Sequence, residues 1–330
     1  MKIAVIGCGA WATALCNVFS NNHHTCVMYG SHEDTFDNER HINKRYFPEV
    51  VLSPLITYTT SLQECVFNAD MILFCIPSIA IRDMARKIGT FLDHEITVLS
   101  AAKGFDPTTF EPLSNVLKEE LPSKYVRGVV SLIGPSFASE VIQNKVTTIC
   151  AVSEDLIVAA QVQSCFSNET FRIYTNDDEI GCQCGAALKN VIAIAGGAIY
   201  GLGEGENAKA GLVTRGVREM VRFGTAIGGR PETFFGLTGV GDLLLTCSSM
   251  QSRNYSLGYL IGKNDDAGKV LQENQKTCEG VHTCLYAYEL AKQKNLDMPI
   301  LESVYRVLYS NEKPSKCLKE TMLRQLKSEL

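Results

Sequence analysis

The chain has 330 residues, of which 45% are hydrophobic and 20% are charged, and its formal net charge is −5 at pH 7. That length favours two domains, and the apolar content excludes an intrinsically disordered chain. The negative charge argues against a surface built for nucleic acid or anionic membranes. No stretch approaches the roughly 18 uninterrupted apolar residues of a membrane helix, and the N-terminus lacks a secretory pattern. We therefore expect a cytoplasmic protein with no nucleic-acid partner and no stable membrane insertion.

The chain contains thirteen cysteines, which are scattered through apolar runs. The nearest pair, Cys182 and Cys184, is separated by one residue, whereas zinc and redox motifs have two or more. We therefore expect reduced, mostly buried thiols and no metal site.

The first half of the chain alternates short β-branched runs with helical patterns, which predicts an α/β domain with a parallel sheet. Amphipathic helices are predicted between several strands, such as Ile79–Phe91 and Phe110–Glu120. The predicted strands are Lys2–Ile6, Cys26–Tyr29, Met71–Ile76, Ile96–Ser100, Val126–Ile133 and Thr147–Val152.

The pattern changes after Asp178, and from Gly185 onward apolar residues recur at intervals of three and four. This spacing is typical of amphipathic helices, and it predicts long ones at Ala186–Ile199 and Ala208–Ile227. We expect an α/β domain over residues 1–182, followed by an all-helical domain over residues 183–330.

A glycine-rich turn follows the first strand and opens a helix that runs toward Asn21. Its sequence, Gly7-Cys8-Gly9-Ala10-Trp11-Ala12, has the G-x-G-x-x-A form of the Rossmann turn. The first glycine permits the tight turn, and the second lets the backbone approach a pyrophosphate at the helix N-terminus. The motif predicts a Rossmann-like dinucleotide-binding domain. The alternative is a structural turn that binds no ligand.

The residues after the second predicted strand bear on the choice of cofactor. A carboxylate there binds the adenosine ribose, whereas an arginine receives a 2′-phosphate. The segment Tyr29-Gly30-Ser31-His32-Glu33 has no arginine, and Glu33 lies slightly beyond the usual carboxylate position. This favours NAD and leaves NADP open, while His32 and Glu33 equally fit an exposed helix start.

Several polar residues stand in glycine-rich or helix-start contexts. Lys103 and Ser136 follow predicted strands, at the sheet edge where α/β proteins bind ligands. Lys189 lies in an otherwise apolar segment, and Arg253 suits an oxyanion before a helical stretch. Each has a structural alternative: Lys189 can snorkel from a helix, Asp242 can cap one, and Arg253 can be a surface residue.

Together these segments resemble the NAD(P)-dependent glycerol-3-phosphate dehydrogenases along nearly the whole chain. The resemblance begins with the glycine turn and Trp11. It continues through Ile76-Pro77-Ser78, Ala102-Lys103-Gly104, Gly134-Pro135-Ser136-Phe137-Ala138, Gly185-Ala186-Ala187-Leu188-Lys189-Asn190-Val191, Thr214-Arg215-Gly216, Gly239-Val240-Gly241-Asp242 and Ser252-Arg253-Asn254.

The resemblance implies a Rossmann domain, an all-helical substrate domain and an active site in the cleft between them. It implies interconversion of dihydroxyacetone phosphate and sn-glycerol 3-phosphate for phospholipid synthesis, and a homodimer. The implied catalytic residues are Lys189, Asp242 and Lys103, with Lys189 as the general acid and base. The implied substrate contacts are Lys103, Gly134, Ser136, Lys189, Asn190, Asp242, Thr246, Ser252, Arg253 and Asn254. The implied cofactor contacts are Gly7, Gly9, Ala10, Trp11, Ser31, His32, Lys103, Ala138, Arg253, Thr277 and Glu279.

The chain departs from the family pattern in three places. Ala10 and Ala12 stand where the family usually has serine and glycine, and the backbone contacts survive both changes. The arginine after the second strand is absent, which argues against tight NADPH use. Thr277 and Cys278 replace two common valines.

Two other functions compete with this interpretation. One is a β-hydroxyacid dehydrogenase or 2-ketoacid reductase of the same architecture, which would not need the Ser252-Arg253-Asn254 phosphate cluster. The other is a nucleotide-sensing protein without catalysis, against which the joint presence of Lys189, Asp242 and Arg253 argues. Turnover of dihydroxyacetone phosphate with NADH separates all three.

Overall fold

A computed structural model describes residues 1–32, 35–106, 109, 111–274 and 278–329. The chain divides into two compact units, Met1–Glu179 and Ile180–Leu330. The sequence places this division after Cys182. The units separate within the first turn of a long helix that begins at Glu179.

The first unit is built on an eight-stranded sheet, flanked by helices, with a separate two-stranded ribbon. The strands are β1 (Lys2–Ile6), β2 (Thr25–Tyr29), β3 (Phe36–Asp37), β4 (Ile42–Asn43), β5 (Ile56–Thr59), β6 (Met71–Phe74), β7 (Ile96–Ser100), β8 (Val126–Ile133), β9 (Thr147–Val152) and β10 (Phe171–Asn176). The helices are α1 (Ala10–Asn21), α2 (Leu62–Val66), α3 (Ile81–Gly89), α4 (Leu113–Glu120), α5 (Ala138–Val141) and α6 (Leu156–Phe166). The order in the large sheet is β5-β2-β1-β6-β7-β8-β9-β10, and β3 pairs with β4.

The prediction of a parallel sheet is wrong at one pair, because β9 runs antiparallel to β8. A parallel return needs a crossover long enough to carry the chain back along the sheet. Between β8 and β9 the chain has only the single turn of α5, so β9 starts at the edge where β8 ends. The connection from β9 to β10 contains a full crossover helix, α6, and β10 is accordingly parallel to β9.

The continuous apolar run of β1 reflects burial of the sheet on both faces. Ile3 and Val5 belong to a core cluster with Phe19, whereas Ala4 and Ile6 belong to a second cluster. Successive side chains of a strand point to opposite faces, so a strand covered on both sides has no polar alternation.

Several predicted bounds differ from the structure. The strand predicted over Met71–Ile76 ends at Phe74, because the chain turns at Cys75 beneath the glycine turn. The helix predicted from Ile79 begins as a 3₁₀ turn at Ser78–Ala80 before α3. The helix predicted from Phe110, which lies outside the described residues, is seen from Leu113. Four strands escaped prediction: the two-residue β3 and β4, the four-residue β5 and the half-exposed β10.

The described part of the second unit contains helices and no strand. A 3₁₀ helix, Pro231–Phe235, and a π-helix, Leu237–Gly241, lie between the second and third α-helices. The α-helices are α7 (Glu179–Gly201), α8 (Glu206–Ala226), α9 (Asp242–Thr246), α10 (Arg253–Asn264), α11 (Gly268–Glu273), α12 (Glu279–Gln293), α13 (Pro299–Tyr309) and α14 (Pro314–Met322). The helices predicted from Ala186 and Ala208 therefore begin earlier, at Glu179 and Glu206.

Helix α7 is long and apolar enough to cross a membrane, but 89% of its most apolar window is buried inside the protein. Its apolar composition therefore fits a core helix. It packs against α10 at close range through glycines. A Cβ at Gly258 would lie 2.0 Å from the Ile194 carbonyl oxygen, and one at Gly197 would lie 2.0 Å from that of Tyr255. Only glycine permits this approach.

The thirteen cysteines are all free thiols, ten of them buried and three half-buried. Burial raises the pKa of several, including Cys75 and Cys247, to about 12. The thiols whose pKa is raised are packing groups of low nucleophilicity, because the thiolate is the reactive form.

Candidate active site

The first glycine of the Rossmann-type turn is required by the backbone. Gly7 has a φ of 120°, and a Cβ there would lie 2.4 Å from the Cys75 carbonyl oxygen. The Gly7 amide donates to the Tyr29 carbonyl oxygen at 3.0 Å, which ties the turn to the end of β2. The turn therefore lies at the carboxyl ends of β1, β2 and β6, the edge at which parallel sheets bind ligands.

The second glycine leaves the N-terminus of α1 open. Gly9 is the N-cap of α1, no side chain caps this end, and its first turn has no acidic residue. A Cβ at Gly9 would meet nothing within 4 Å. The first amides of a helix lack partners within the helix and attract anions. The pyrophosphate of a dinucleotide fits this end, and the buried Ala12 supplies the small third residue of the motif.

The remaining cofactor candidates near the turn differ in exposure. Trp11 is half-buried, and its indole Nε1 has no hydrogen-bond partner in the described part of the chain. Ser31 and His32 are exposed after β2, where the Tyr58 hydroxyl donates to the His32 carbonyl oxygen at 2.5 Å. Glu33 lies outside the described residues.

The loops after β7 and β8 meet at one carbonyl group. The Lys103 ammonium donates to the Gly134 carbonyl oxygen at 3.4 Å, and the Ser136 hydroxyl donates to the same atom at 3.2 Å. Burial raises the pKa of the Cys75 thiol to about 12, and the Lys103 cation opposes that shift. Lys103 therefore lies near the residue that backs the glycine turn. Ala138 follows as the first residue of α5.

The second unit contains a buried ion pair between Lys189 on α7 and Asp242 at the start of α9. The Lys189 Nζ contacts Asp242 Oδ2, and the two residues are only 6% and 1% exposed. Gly185, one turn before Lys189, allows α7 to approach the π-helix: a Cβ there would lie 2.5 Å from the Thr238 carbonyl oxygen. That approach brings Asp242 to the lysine, and the α9 N-terminus favours a carboxylate.

Two further side chains surround this pair. The Thr246 hydroxyl donates to the Asp242 carbonyl oxygen at 2.5 Å and lies 3.5 Å from Oδ1 of the same residue. Cys247 is fully buried. Burial raises the pKa of its thiol to about 12, against the Lys189 and Lys209 cations, which lower it. The thiol is therefore protonated and uncharged beside the lysine.

A chain of amides lies next to the lysine in sequence. Asn254 Nδ2 donates to Asn190 Oδ1 at 2.9 Å, and Asn254 Oδ1 accepts the Gly280 amide at 3.0 Å. Both asparagines are 8% exposed. Ser252 caps α10 by accepting the Tyr255 amide at 3.2 Å. The network connects α7, α10 and the first turn of α12.

Arg253 and Glu279 are placed differently from these buried residues. Arg253 is exposed as the first residue of α10, and within the described residues its guanidinium makes no ion pair or hydrogen bond. Glu279 is half-buried as the first residue of α12. Thr277 lies outside the described residues. Sequence patterns did not single out Cys247 or Gly280, because a thiol and a glycine carry no signal of their position.

The described residues contain no group of three or more His, Cys, Asp or Glu side chains able to hold a metal ion. An open helix N-terminus after a parallel strand and a buried lysine–aspartate pair are features of a dinucleotide-dependent oxidoreductase.

Comparison with known proteins places the chain within that class. Residues 2–159 match the N-terminal model of NAD-dependent glycerol-3-phosphate dehydrogenase, and residues 178–319 match its C-terminal model. A protein of Enterococcus faecalis named glycerol-3-phosphate dehydrogenase [NAD(P)+] is 46% identical, over 99% of this chain and 97% of that protein. A protein of the same name from Staphylococcus aureus is 41% identical, over 99% of both chains.

The crystal structure of glycerol-3-phosphate dehydrogenase from Coxiella burnetii has a TM-score of 0.90 and 30% identity, and the match covers 98% of this chain and 99% of that one. The chain belongs to the NAD-dependent glycerol-3-phosphate dehydrogenase family.

Proposed function

We propose that the chain interconverts dihydroxyacetone phosphate and sn-glycerol 3-phosphate with NAD(P)H, and that Lys189 is the general acid and base. The buried Lys189–Asp242 pair is the observation that carries this proposal. A buried ammonium that is held by a carboxylate, with the protonated Cys247 thiol nearby, is a proton donor in a fixed position. The names of the Enterococcus and Staphylococcus relatives support the reaction.

When bound, the nicotinamide supplies or accepts the hydride at the central carbon of the substrate. During reduction of the ketone, negative charge develops on its oxygen, and the enzyme must stabilise and protonate that oxygen. We assign the proton transfer to Lys189 Nζ. In the oxidation direction, the neutral amine takes the proton from the hydroxyl group. Asp242 holds the lysine in place, and Thr246 braces the backbone of Asp242.

We assign Arg253 to the substrate phosphate. Its guanidinium has no ion pair in the described chain, and its planar fork suits a phosphate. Lys103, Gly134, Ser136, Asn190, Ser252 and Asn254 are further proposed contacts. For Asn254 the amide already joins Asn190 to Gly280, so it serves the substrate mainly by fixing Asn190.

For the cofactor we propose NADH in preference to NADPH, because the exposed Ser31-His32 segment after β2 offers no arginine to a 2′-phosphate. The proposed contacts are Gly7, Gly9, Ala10, Trp11, Ser31, His32, Lys103, Ala138, Arg253, Thr277 and Glu279. We further propose a cytoplasmic homodimer that supplies glycerol 3-phosphate for phospholipid synthesis, and sedimentation tests the dimer.

Turnover of dihydroxyacetone phosphate with NADH tests the proposed function, with Arg253→Ala as the diagnostic variant. We expect a strongly raised KM for the phosphorylated substrate and weaker discrimination against unphosphorylated dihydroxyacetone, since losing a charge-assisted contact costs roughly 2–5 kcal/mol. The matched control is Lys263→Ala, which removes another exposed cation from α10. A wild-type KM in the arginine variant would show that the phosphate is held elsewhere. Equal turnover of 2-ketoacids would favour the rival reductase.

A further inference from the structure

A second cluster of cations lies in the helical unit, apart from the residues assigned above. Arg215, Arg218 and Arg222 recur on one face of α8, and Arg324 and Lys327 come from the segment after α14. These five side chains line a cavity of about 730 Å³, which we call the basic vestibule. Lys189, Asp242 and Arg253 do not line it.

The acidic groups at the basic vestibule do not neutralise it. Asp297 is already shared by Arg324 at 2.6 Å and Lys327 at 3.2 Å. Both oxygens of the buried Glu219 carboxyl accept backbone amides, from Ile300 at 2.6 Å and Leu301 at 3.1 Å.

The arginines of α8 have few competing partners. The Arg218 guanidinium donates to the Glu329 carbonyl oxygen at 2.7 Å, and that of Arg222 donates to the Asp297 carbonyl oxygen. Arg215 forms no ion pair with any described residue. A chain with a net charge of −5 therefore concentrates excess positive charge in one cavity.

An apolar recess adjoins the basic vestibule. It has a volume of about 90 Å³, and apart from Ser303 and Thr321 it is lined by apolar residues and Cys317. Ile199, Leu212, Ile300, Leu318 and Thr321 line both cavities, so the recess and the vestibule are contiguous. The recess has room for several water-sized groups, yet it offers water few hydrogen-bond partners. A short aliphatic chain suits it better.

We propose that the basic vestibule and its recess form a binding site for a phosphate-headed amphiphile with a single aliphatic chain. The planar guanidinium groups of α8 can donate paired hydrogen bonds to the oxygens of a phosphate. Arg215 can do so without first breaking an ion pair to a described residue. The chain enters the apolar recess between α7, α8, α13 and α14. A free phosphate would leave the recess unused, and an uncharged lipid would leave the arginines without an anion.

Calorimetric titration with a series of alkyl phosphates tests the site, from inorganic phosphate through ethyl and butyl to octyl phosphate. Saturating glycerol 3-phosphate is present throughout to occupy the proposed substrate site. Affinity should rise about fourfold for each added CH₂ until the recess is full, and then level off. Octyltrimethylammonium has the same chain with the opposite charge and should not bind. A series with no dependence on chain length, or equal binding of the cation, overturns the proposal.

Two variants distinguish the binding of the phosphate group from the binding of the aliphatic chain. Arg215→Gln should weaken every alkyl phosphate about tenfold. Ala198 lines the recess, so Ala198→Leu should fill it and abolish the chain-length dependence while leaving the binding of inorganic phosphate unaffected. Lys263→Gln removes the same positive charge from an exposed position on α10 and should leave the binding of every alkyl phosphate unchanged. Unchanged octyl phosphate binding by Arg215→Gln overturns the proposal. The proposal is also overturned if the wild-type chain sediments as an oligomer and that oligomer does not bind octyl phosphate.

Discussion

The candidate sites of the two units differ in whether backbone groups or side chains form them. In the first unit the candidate ligand-binding features are mainly backbone: the Gly7 turn, the uncapped N-terminus of α1 and the Gly134 carbonyl group. In the second unit most of the candidate site consists of side chains buried to more than nine-tenths, among them Lys189 and Asp242 in direct contact, whereas Arg253 is exposed.

This difference shows which changes each site tolerates. A backbone site depends on the conformation of a few residues and accepts many side chains around them. The alanines at positions 10 and 12 illustrate this, since α1 forms and packs with both in place. A buried charge pair depends on both partners, because removing one leaves the other unpaired in a medium of low polarity.

The largest effect should follow from breaking the buried pair. We expect Lys189→Met to lower kcat by about 10²–10⁴, because positioned proton transfer is lost. It should also cost about 3–5 kcal/mol of stability, since the Asp242 carboxylate loses its partner. Steady-state kinetics and urea unfolding measure the two effects.

The double variant Lys189→Met with Asp242→Asn distinguishes a structural from a chemical role. Asparagine removes the stranded charge, so stability should largely return while kcat stays low. If kcat returned with stability, Lys189 would only support the fold, and Lys103 would become the candidate acid.

The second prediction sharpens the dependence of the helical unit on close packing. Gly258→Ala places a Cβ 2.0 Å from the Ile194 carbonyl oxygen and should destabilise the protein by at least about 3 kcal/mol. Gly211→Ala is the matched control, because its Cβ would meet nothing within 4 Å on the exposed side of α8. It should stabilise by about 1 kcal/mol. Similar unfolding midpoints for the two variants would contradict the close helix contact.

The third prediction concerns pH and the buried Glu219. Burial raises the pKa of its carboxyl from 4.5 to about 7, against two backbone hydrogen bonds that lower it. Because the folded-state pKa is raised, its contribution to stability is complete below about pH 4.5 and is lost as pH rises through 7. Relative to Glu219→Gln, the wild type should lose up to about 3 kcal/mol between pH 5 and pH 8. The exposed Glu206→Gln on the same helix should show no such pH dependence in urea unfolding.

Sequence reasoning succeeded where a local pattern dictates the structure. The glycine turn and the strands Lys2–Ile6, Ile96–Ser100, Val126–Ile133 and Thr147–Val152 lie where the sequence predicts them. It failed on the antiparallel β9, since strand direction depends on how far a loop travels. It also could not show that Asn254 bridges Asn190 and Gly280. Those contacts join segments whose approach is set by glycines on packed helices.

The smallest expected effect tests the backbone site. Ser31→Arg should shift kcat/KM toward NADPH by about tenfold, because the exposed position after β2 gains a cation for the 2′-phosphate. Ser310→Arg, an exposed change of the same kind in the other unit, should leave the preference unaltered. A wild-type NADPH preference of tenfold or more would overturn the expected use of NADH.

Each unit contains buried thiols whose reactivity can report when that unit opens. Cys16, Cys26, Cys65 and Cys150 lie in the first unit, and Cys182, Cys184, Cys247, Cys278, Cys284 and Cys317 lie in the second. A thiol reagent modifies a buried cysteine only during the interval in which its surroundings open, so the labelling rate measures the free energy of that opening. Mass spectrometry of the labelled peptides would therefore resolve whether the sheet and the helices open together or separately.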